Sequence, residues 1–146
     1  MYEKTLVAGW GDMDFNSHMR NTAYLDKSAD VRMMYFADCG FPMSEFAKLR
    51  LGPVVMKDEV EYFREFGLLE EVRVTFTLAG LSEDGMRMKL RNDFYKKDVL
   101  AARVTATGGW LDLAARKLVC PPPALLQLLR DLERSDDFAD LPGSRR

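Results

Sequence analysis

The hydrophobic period of this chain changes once, and that change limits what it can fold into. Residues 22–39 ("TAYLDKSADVRMMYFADC") place apolar side chains over a wide arc of a 3.6-residue period, interrupted by Asp26, Lys27, Asp30, Arg32 and Asp38. From Pro53 onward the period is two. "VVMKDEVEYF" (54–63), "EVRVTFTLAGL" (71–81), "MRMKLRNDFYKK" (86–97) and "VLAARVTATGGWLDL" (99–113) all read as strands. The clearest alternates Met86, Met88 and Leu90 with Arg87, Lys89 and Arg91, giving one buried and one wet face. Gly40 and Pro42 stop the helix, and a short second helix is expected within 42–51. "SEDG" (82–85) and "KKDV" (96–99) are tight connections, so successive strands run antiparallel. Residues 3–10 supply a first strand, and 124–133 a closing amphipathic helix after the "CPPP" break. The expected architecture is α+β: an antiparallel five-stranded sheet wrapped around one long central helix. Residues 1–134 form the single domain, and 135–146 a polar, frayed tail. One helix covers one face of such a sheet, so a second copy of the chain is expected against the other.

Bulk properties exclude several classes. With 146 residues the chain can bury a core without staples. Its 21 basic and 23 acidic side chains leave a net charge of -2, which does not suit a nucleic-acid partner. One histidine and two widely separated cysteines, Cys39 and Cys120, do not make a metal site; free thiols are expected. The N-terminal residues contain no apolar h-region, and no apolar run approaches the roughly 20 residues of a membrane helix. A soluble, cytoplasmic protein is expected, without a metal or redox cofactor.

The densest chemistry lies just before the long helix. "GWGDMDFNSHMRN" (9–21) gathers two aspartates, two asparagines, an arginine and the only histidine. The first amide N–H groups of a helix lack internal partners and sit at the positive end of its dipole. Aimed at a carbonyl oxygen, they make an oxyanion site. Asp14, on the loop feeding that helix, is placed to attack such a carbonyl or to activate water against it. The same residue types also make ordinary caps and turns. Asp12 reads as structural, Asn21 as either a cap or the oxyanion donor, and His18 as either a loop residue or a catalyst.

"GDMDFNSHMRNTAYL" resembles the first motif of the hotdog-fold acyl-CoA thioesterases, the 4-hydroxybenzoyl-CoA thioesterase-like superfamily. That motif reads Asp-x-Asp-x-x-Gly-His-Val-Asn-Asn-x-x-Tyr-Leu. Asp12 and Asp14 take the aspartates, His18 the histidine, Met19 the valine, Asn21 the second asparagine, and Tyr24 and Leu25 the closing pair. Asp30 and Arg32 fall where an acidic residue and an Arg follow. "VTATGGWLDLAARKLVCPPPALLQLL" is similar to the family's ending. The resemblance implies that Asp14 is the catalytic carboxylate, nucleophile or general base, and that the N–H of Asn21 or a neighbour holds the thioester carbonyl. His18 would support the loop, with Ser17, Arg20 and Tyr24 against the substrate. It also implies an acyl-CoA substrate and a homodimer or homotetramer with the site at a subunit interface.

Two departures stand out. Ser17 replaces a glycine, which matters if that position needs positive φ. Arg20 replaces an asparagine, and could close the acyl pocket, pair with Asp12 or Asp14, or bind an anionic group. Glu59 and Glu61 are reserve carboxylates. Arg87, Lys89, Arg91, Lys96, Lys97 and Arg103 are candidates for the CoA phosphates or simply a solvated face. Trp10 and Tyr24 read as core aromatics. An enoyl-CoA hydratase using an Asp14–His18 pair and a non-catalytic acyl-CoA-binding protein are the alternative functions.

Overall fold

The computed structural model describes residues 1–143. Strand β1 (Tyr2–Val7) leads through a short 3-10 turn (Trp10–Asp12) to helix α1 (Asn21–Asp38) and helix α2 (Met43–Leu49). Four long strands follow: β2 (Leu51–Tyr62), β3 (Glu71–Ser82), β4 (Arg87–Lys96) and β5 (Val99–Asp112). The chain closes with β6 (Lys117–Val119), α3 (Pro123–Asp131) and β7 (Arg134–Leu141). The sheet runs β1-β3-β4-β5-β2, so the first strand lies far from the second, with α1 and α2 in the crossover between them. All five of these strands pair antiparallel, as expected.

The sheet has seven strands rather than five. β6 pairs with the end of β5. β7 lies parallel to the second half of β3, beyond the stretch that β1 occupies. Residues 135–141, expected as frayed tail, therefore belong to a strand. The physical reason is local. Leu78 N–H donates to the Glu133 carbonyl at 2.9 Å. Arg91 reaches Asp137 at 2.6 Å, and Phe138 packs on the core under the Arg134 guanidinium. Gly80 leaves room for the approach: a Cβ there would lie 3.0 Å from the Ala139 carbonyl. The last three residues of the expected tail, 144–146, lie outside the described residues.

Helix α1 packs on the sheet through one face. Ala23, Tyr24, Lys27, Ser28, Val31, Tyr35 and Phe36 are buried, while Asp26, Ala29, Asp30 and Ala37 are exposed. The sheet thus covers a stripe of α1 rather than its circumference, which is the width a helix on one sheet needs. At its far end, Phe36, Phe46 and Trp110 stack into one aromatic cluster, joined by Tyr35 and Phe76. Gly40 ends the helix at φ 89°, as its position suggested. Tyr35 Oη donates to the Leu128 carbonyl, tying α1 to α3.

The outer face of the sheet is polar, not apolar. Thr75, Thr77, Arg91, Asp93 and Thr105 are buried there, and all but Thr77 make hydrogen bonds through their side chains. The expected reason for a second copy, an uncovered apolar face, does not apply to this side. The exposed apolar side chains instead include Val55, Met56, Tyr62 and Phe63, on and just after edge strand β2.

Candidate active site

The loop from Gly9 to Arg20 is tied into a closed knot. Met13 and Met19 bridge its two arms. Asp14 N–H donates to the His18 carbonyl at 2.8 Å, and Arg20 N–H to the Asp12 carbonyl at 2.7 Å. Between them Asp14–Ser17 form a turn, with Ser17 N–H on the Asp14 carbonyl. Ser17 adopts φ 67°, the left-handed conformation that favours glycine. The glycine-to-serine departure therefore falls on a position that carries backbone strain.

Asp12 is structural in its contacts. Its Oδ2 accepts from Gly9 N–H at 2.8 Å and from Lys27 Nζ at 2.9 Å. Lys27, buried on α1, also reaches the Val7 carbonyl at 3.2 Å. Burial alone would raise the Asp12 carboxyl. The Lys27 and Gly9 hydrogen bonds, with the charges of Lys27 and Arg20, hold it below the ordinary carboxylate range. Sequence reasoning missed Lys27, which looks like a surface residue of the helix and is the peg that fixes the knot to it.

Asp14 is exposed, and its two oxygens are used differently. Oδ1 accepts from the N–H groups of Asn16 at 2.8 Å and His18 at 3.1 Å. Oδ2 makes no hydrogen bond among the described residues. Helix α1 begins at Asn21 with Arg20 as its N-cap, and no side chain caps it. The Asn21 side chain accepts from Thr22 N–H, while the N–H of Asn21 finds no acceptor among the described residues. A depression of about 370 Å³ beside Asp14 is lined by Trp10, Met13, Asp14, Ser17 and Leu68.

His18 turns away from Asp14. Its Nε2 lies 2.7 Å from Glu65 Oε2. Glu65 sits in the connection between β2 and β3, and nothing in the sequence pattern singled it out. The Asp14–His18 side-chain pair that a hydratase would use is not formed. Arg20 pairs with neither aspartate. It donates through Nε to Thr22 Oγ1 at 2.9 Å and through Nη1 to the Gly11 carbonyl, bracing the loop.

Tyr24 is a core residue, 3% exposed, edge-on to Tyr62 with ring centroids 5.2 Å apart. Burial raises its hydroxyl to about 12, reinforced by Tyr62 and by the charges of Glu65 and Asp14, which act on one phenol. Trp10, expected in the core, is 82% exposed, because the 3-10 turn presents it to solvent beside Asp14. Glu59 and Glu61 are exposed. Glu61 opposes Arg103 across β2 and β5 and acts on its charge, which places it on the outer face of the sheet, away from the α1 side. Of the six basic candidates, three have partners: Arg91 with Asp137, Arg103 with Asp93, and Lys96 with Glu70.

Solved structures share the fold of this chain. A Staphylococcus aureus protein solved in complex with CoA matches with a TM-score of 0.80 at 18% identity, covering 92% of this chain and 86% of that one. A gentisyl-coenzyme A thioesterase matches with a TM-score of 0.78 at 14% identity, over 87% and 98% of the two chains. A 1,4-dihydroxy-2-naphthoyl-CoA thioesterase from Synechocystis matches with 0.79 at 12%, over 90% and 96%. No curated protein matches the chain in sequence. No helix among the described residues is long and apolar enough to cross a membrane. The family model for the thioesterase-like superfamily matches residues 8–129, spanning the knot, α1 and strands β2 to β5, and the chain belongs to that superfamily.

Proposed function

We propose that the protein hydrolyses an acyl-CoA thioester to the free acid and CoA, with Asp14 as the reacting carboxylate. The observation that carries this reading is the asymmetry at Asp14. One oxygen is fixed by two backbone N–H groups, and the other is left open on the loop that delivers the chain to the start of α1. The two bonds to Oδ1 hold the carboxylate in one orientation, which is the preorganisation a nucleophile or general base needs.

The thioester carbonyl accepts from the free N–H at Asn21, where the helix dipole favours the oxyanion. Asp14 Oδ2 then adds to the carbonyl carbon, or takes a proton from a water that adds. The tetrahedral oxyanion collapses, the C–S bond breaks, and CoA leaves as the thiol once protonated. In the nucleophilic route water hydrolyses the mixed anhydride in a second step. His18, held by Glu65, supports the loop, while Ser17, Arg20 and the exposed Trp10 border the substrate. No metal or redox step is required. The protein acts in the cytoplasm as a dimer or tetramer, with β2 and its exposed Val55, Met56, Tyr62 and Phe63 covered by a second copy.

The test is Asp14→Asn. Thiol release from a panel of acyl- and aryl-CoAs is expected to fall about 10³-fold, the size of effect that removing a general base produces. Thermal midpoint and oligomer size should be unchanged. Full activity in that variant would remove Asp14 from the mechanism.

A further inference from the structure

Buried hydrogen-bonding groups in folded proteins nearly always find partners. Among the described residues three buried side-chain atoms do not: Ser28 Oγ, Arg32 Nη2 and Trp110 Nε1. They are not scattered. Arg32 and Trp110 both line one cavity of about 150 Å³ between α1 and the sheet. Ser28 stands one helical turn before Arg32, on the same side of α1. The remaining walls are apolar, among them Met33, Phe36, Val54 and Leu90. Arginine and tryptophan side chains can only donate, and serine can donate as well. The unmet need of this cavity is therefore for an acceptor.

The arginine is held ready for one. Its Nε donates to Asn92 Oδ1 at 2.8 Å. Asn92, itself fully buried, donates to the Thr75 carbonyl at 3.1 Å. One side of the guanidinium is thus anchored to the sheet, while Nη2 has no hydrogen-bond partner among the described residues. Burial lowers the Arg32 side chain to about 10, and Asp58 on β2 opposes this through its charge alone, without forming an ion pair. A guanidinium fork is matched by a carboxylate. The cavity is reached from the surface between α1 and β2, where Ala29 and Val55 are both exposed. An apolar space of this size holds a body of roughly six carbons, about that of benzene.

We propose that this cavity binds a ligand whose apolar body ends in a carboxylate, received by the unpaired side of the Arg32 guanidinium. Two sources supply that chemistry. One is an acyl thioester whose acyl group carries a second, terminal carboxylate; this source rests on the thioesterase reading. The other is a free carboxylic acid bound apart from Asp14.

The whole protein is titrated calorimetrically with hexanoate and with hexanamide, which share a body and differ in the terminal charge. Hexanoate is expected to bind at least tenfold more tightly, and Arg32→Gln to abolish the difference. Equal binding of the two probes, or a preference that survives Arg32→Gln, overturns the proposal and leaves water as the occupant. Ala106→Leu narrows the cavity from the sheet side without touching Arg32, and should lose hexanoate binding. Undiminished binding there overturns the proposal even if Arg32→Gln fails to fold. Thiol release from suberyl-CoA and octanoyl-CoA then separates the sources. A lower KM for suberyl-CoA that disappears in Arg32→Gln identifies the thioester. Hexanoate that binds without competing with either thioester identifies a free acid. Hexanoate binding with no thiol release from any thioester sinks the hydrolase reading and leaves this site standing.

Discussion

On the outer face of the sheet, Arg103 grips Asp93 with two hydrogen bonds at 2.8 and 3.0 Å, and Arg91 reaches both Thr105 and Asp137. On the helix side, Arg32 makes one side-chain hydrogen bond, to Asn92, and leaves Nη2 without a partner. All three arginines project from the same sheet or its helix, and all are at least partly buried. The outer pair tie neighbouring strands together, and neither has a buried donor left unpaired among the described residues. The inner one is half complete. A polar network that is satisfied is structure, whereas a buried donor without a protein partner calls for a water or a ligand. The same contrast holds at Asp14, where one oxygen belongs to the loop and the other does not.

This contrast can be broken by experiment. Asp93→Ala should strand Arg103 in a partly buried position and cost about 2 kcal/mol, read as a shift in the urea midpoint. A neutral result would mean that the outer network is decorative.

Acid should act on the same face next. The Arg91 hydrogen bond, then that of Ser135, lowers Asp137 to about 2. A depressed carboxyl stabilises fully above its unfolded value near 4 and loses that contribution as pH falls through the folded value. Amides of β7 should therefore lose exchange protection between about pH 4 and pH 2, ahead of those in β4.

Arg32→Met is expected to cost about 1 kcal/mol, less than Asp93→Ala. It strands the Asn92 carbonyl but removes an unpaired buried charge and fills apolar space. A loss as large as that of Asp93→Ala would show that Arg32 is structural after all. The smallest effect belongs to Ser17→Gly, which relieves positive φ and should stabilise by about 0.5 kcal/mol after the entropy cost of glycine. Differential scanning calorimetry of the two proteins measures it.

The antiparallel core and the knot were legible because each has a strong local signature. Alternation marks β3 and β4, and the density of Asp, Asn and Arg marks residues 11–21. What escaped lacked such a signature. The half-buried side chains of β7, Ser135, Phe138 and Leu141, recur every third residue rather than every second, so the strand reads as a polar tail. Glu65 lies in a connection, where no period applies, and only the fold brings it to His18. Trp10 sits in an apolar-looking segment, and its exposure depends on a single turn. Arg32 is one of several charges along a helix. That its guanidinium is buried and only half paired is a property of the packed cavity, which no linear pattern records.

The two margins of the sheet differ in how they would meet a foreign strand. One margin is divided between β1 and β7, which run in opposite senses along β3 and interrupt each other. The other is β2 alone, a strand of 12 residues with one register shift between Val55 and Lys57, carrying Lys57, Asp58, Glu59 and Glu61 on its exposed surface. A chain with only one continuous margin can be extended once, by an identical margin turned through a two-fold axis, and then has nothing left to offer. Growth by sheet addition through that margin would stop at a closed pair rather than continue into a fibre.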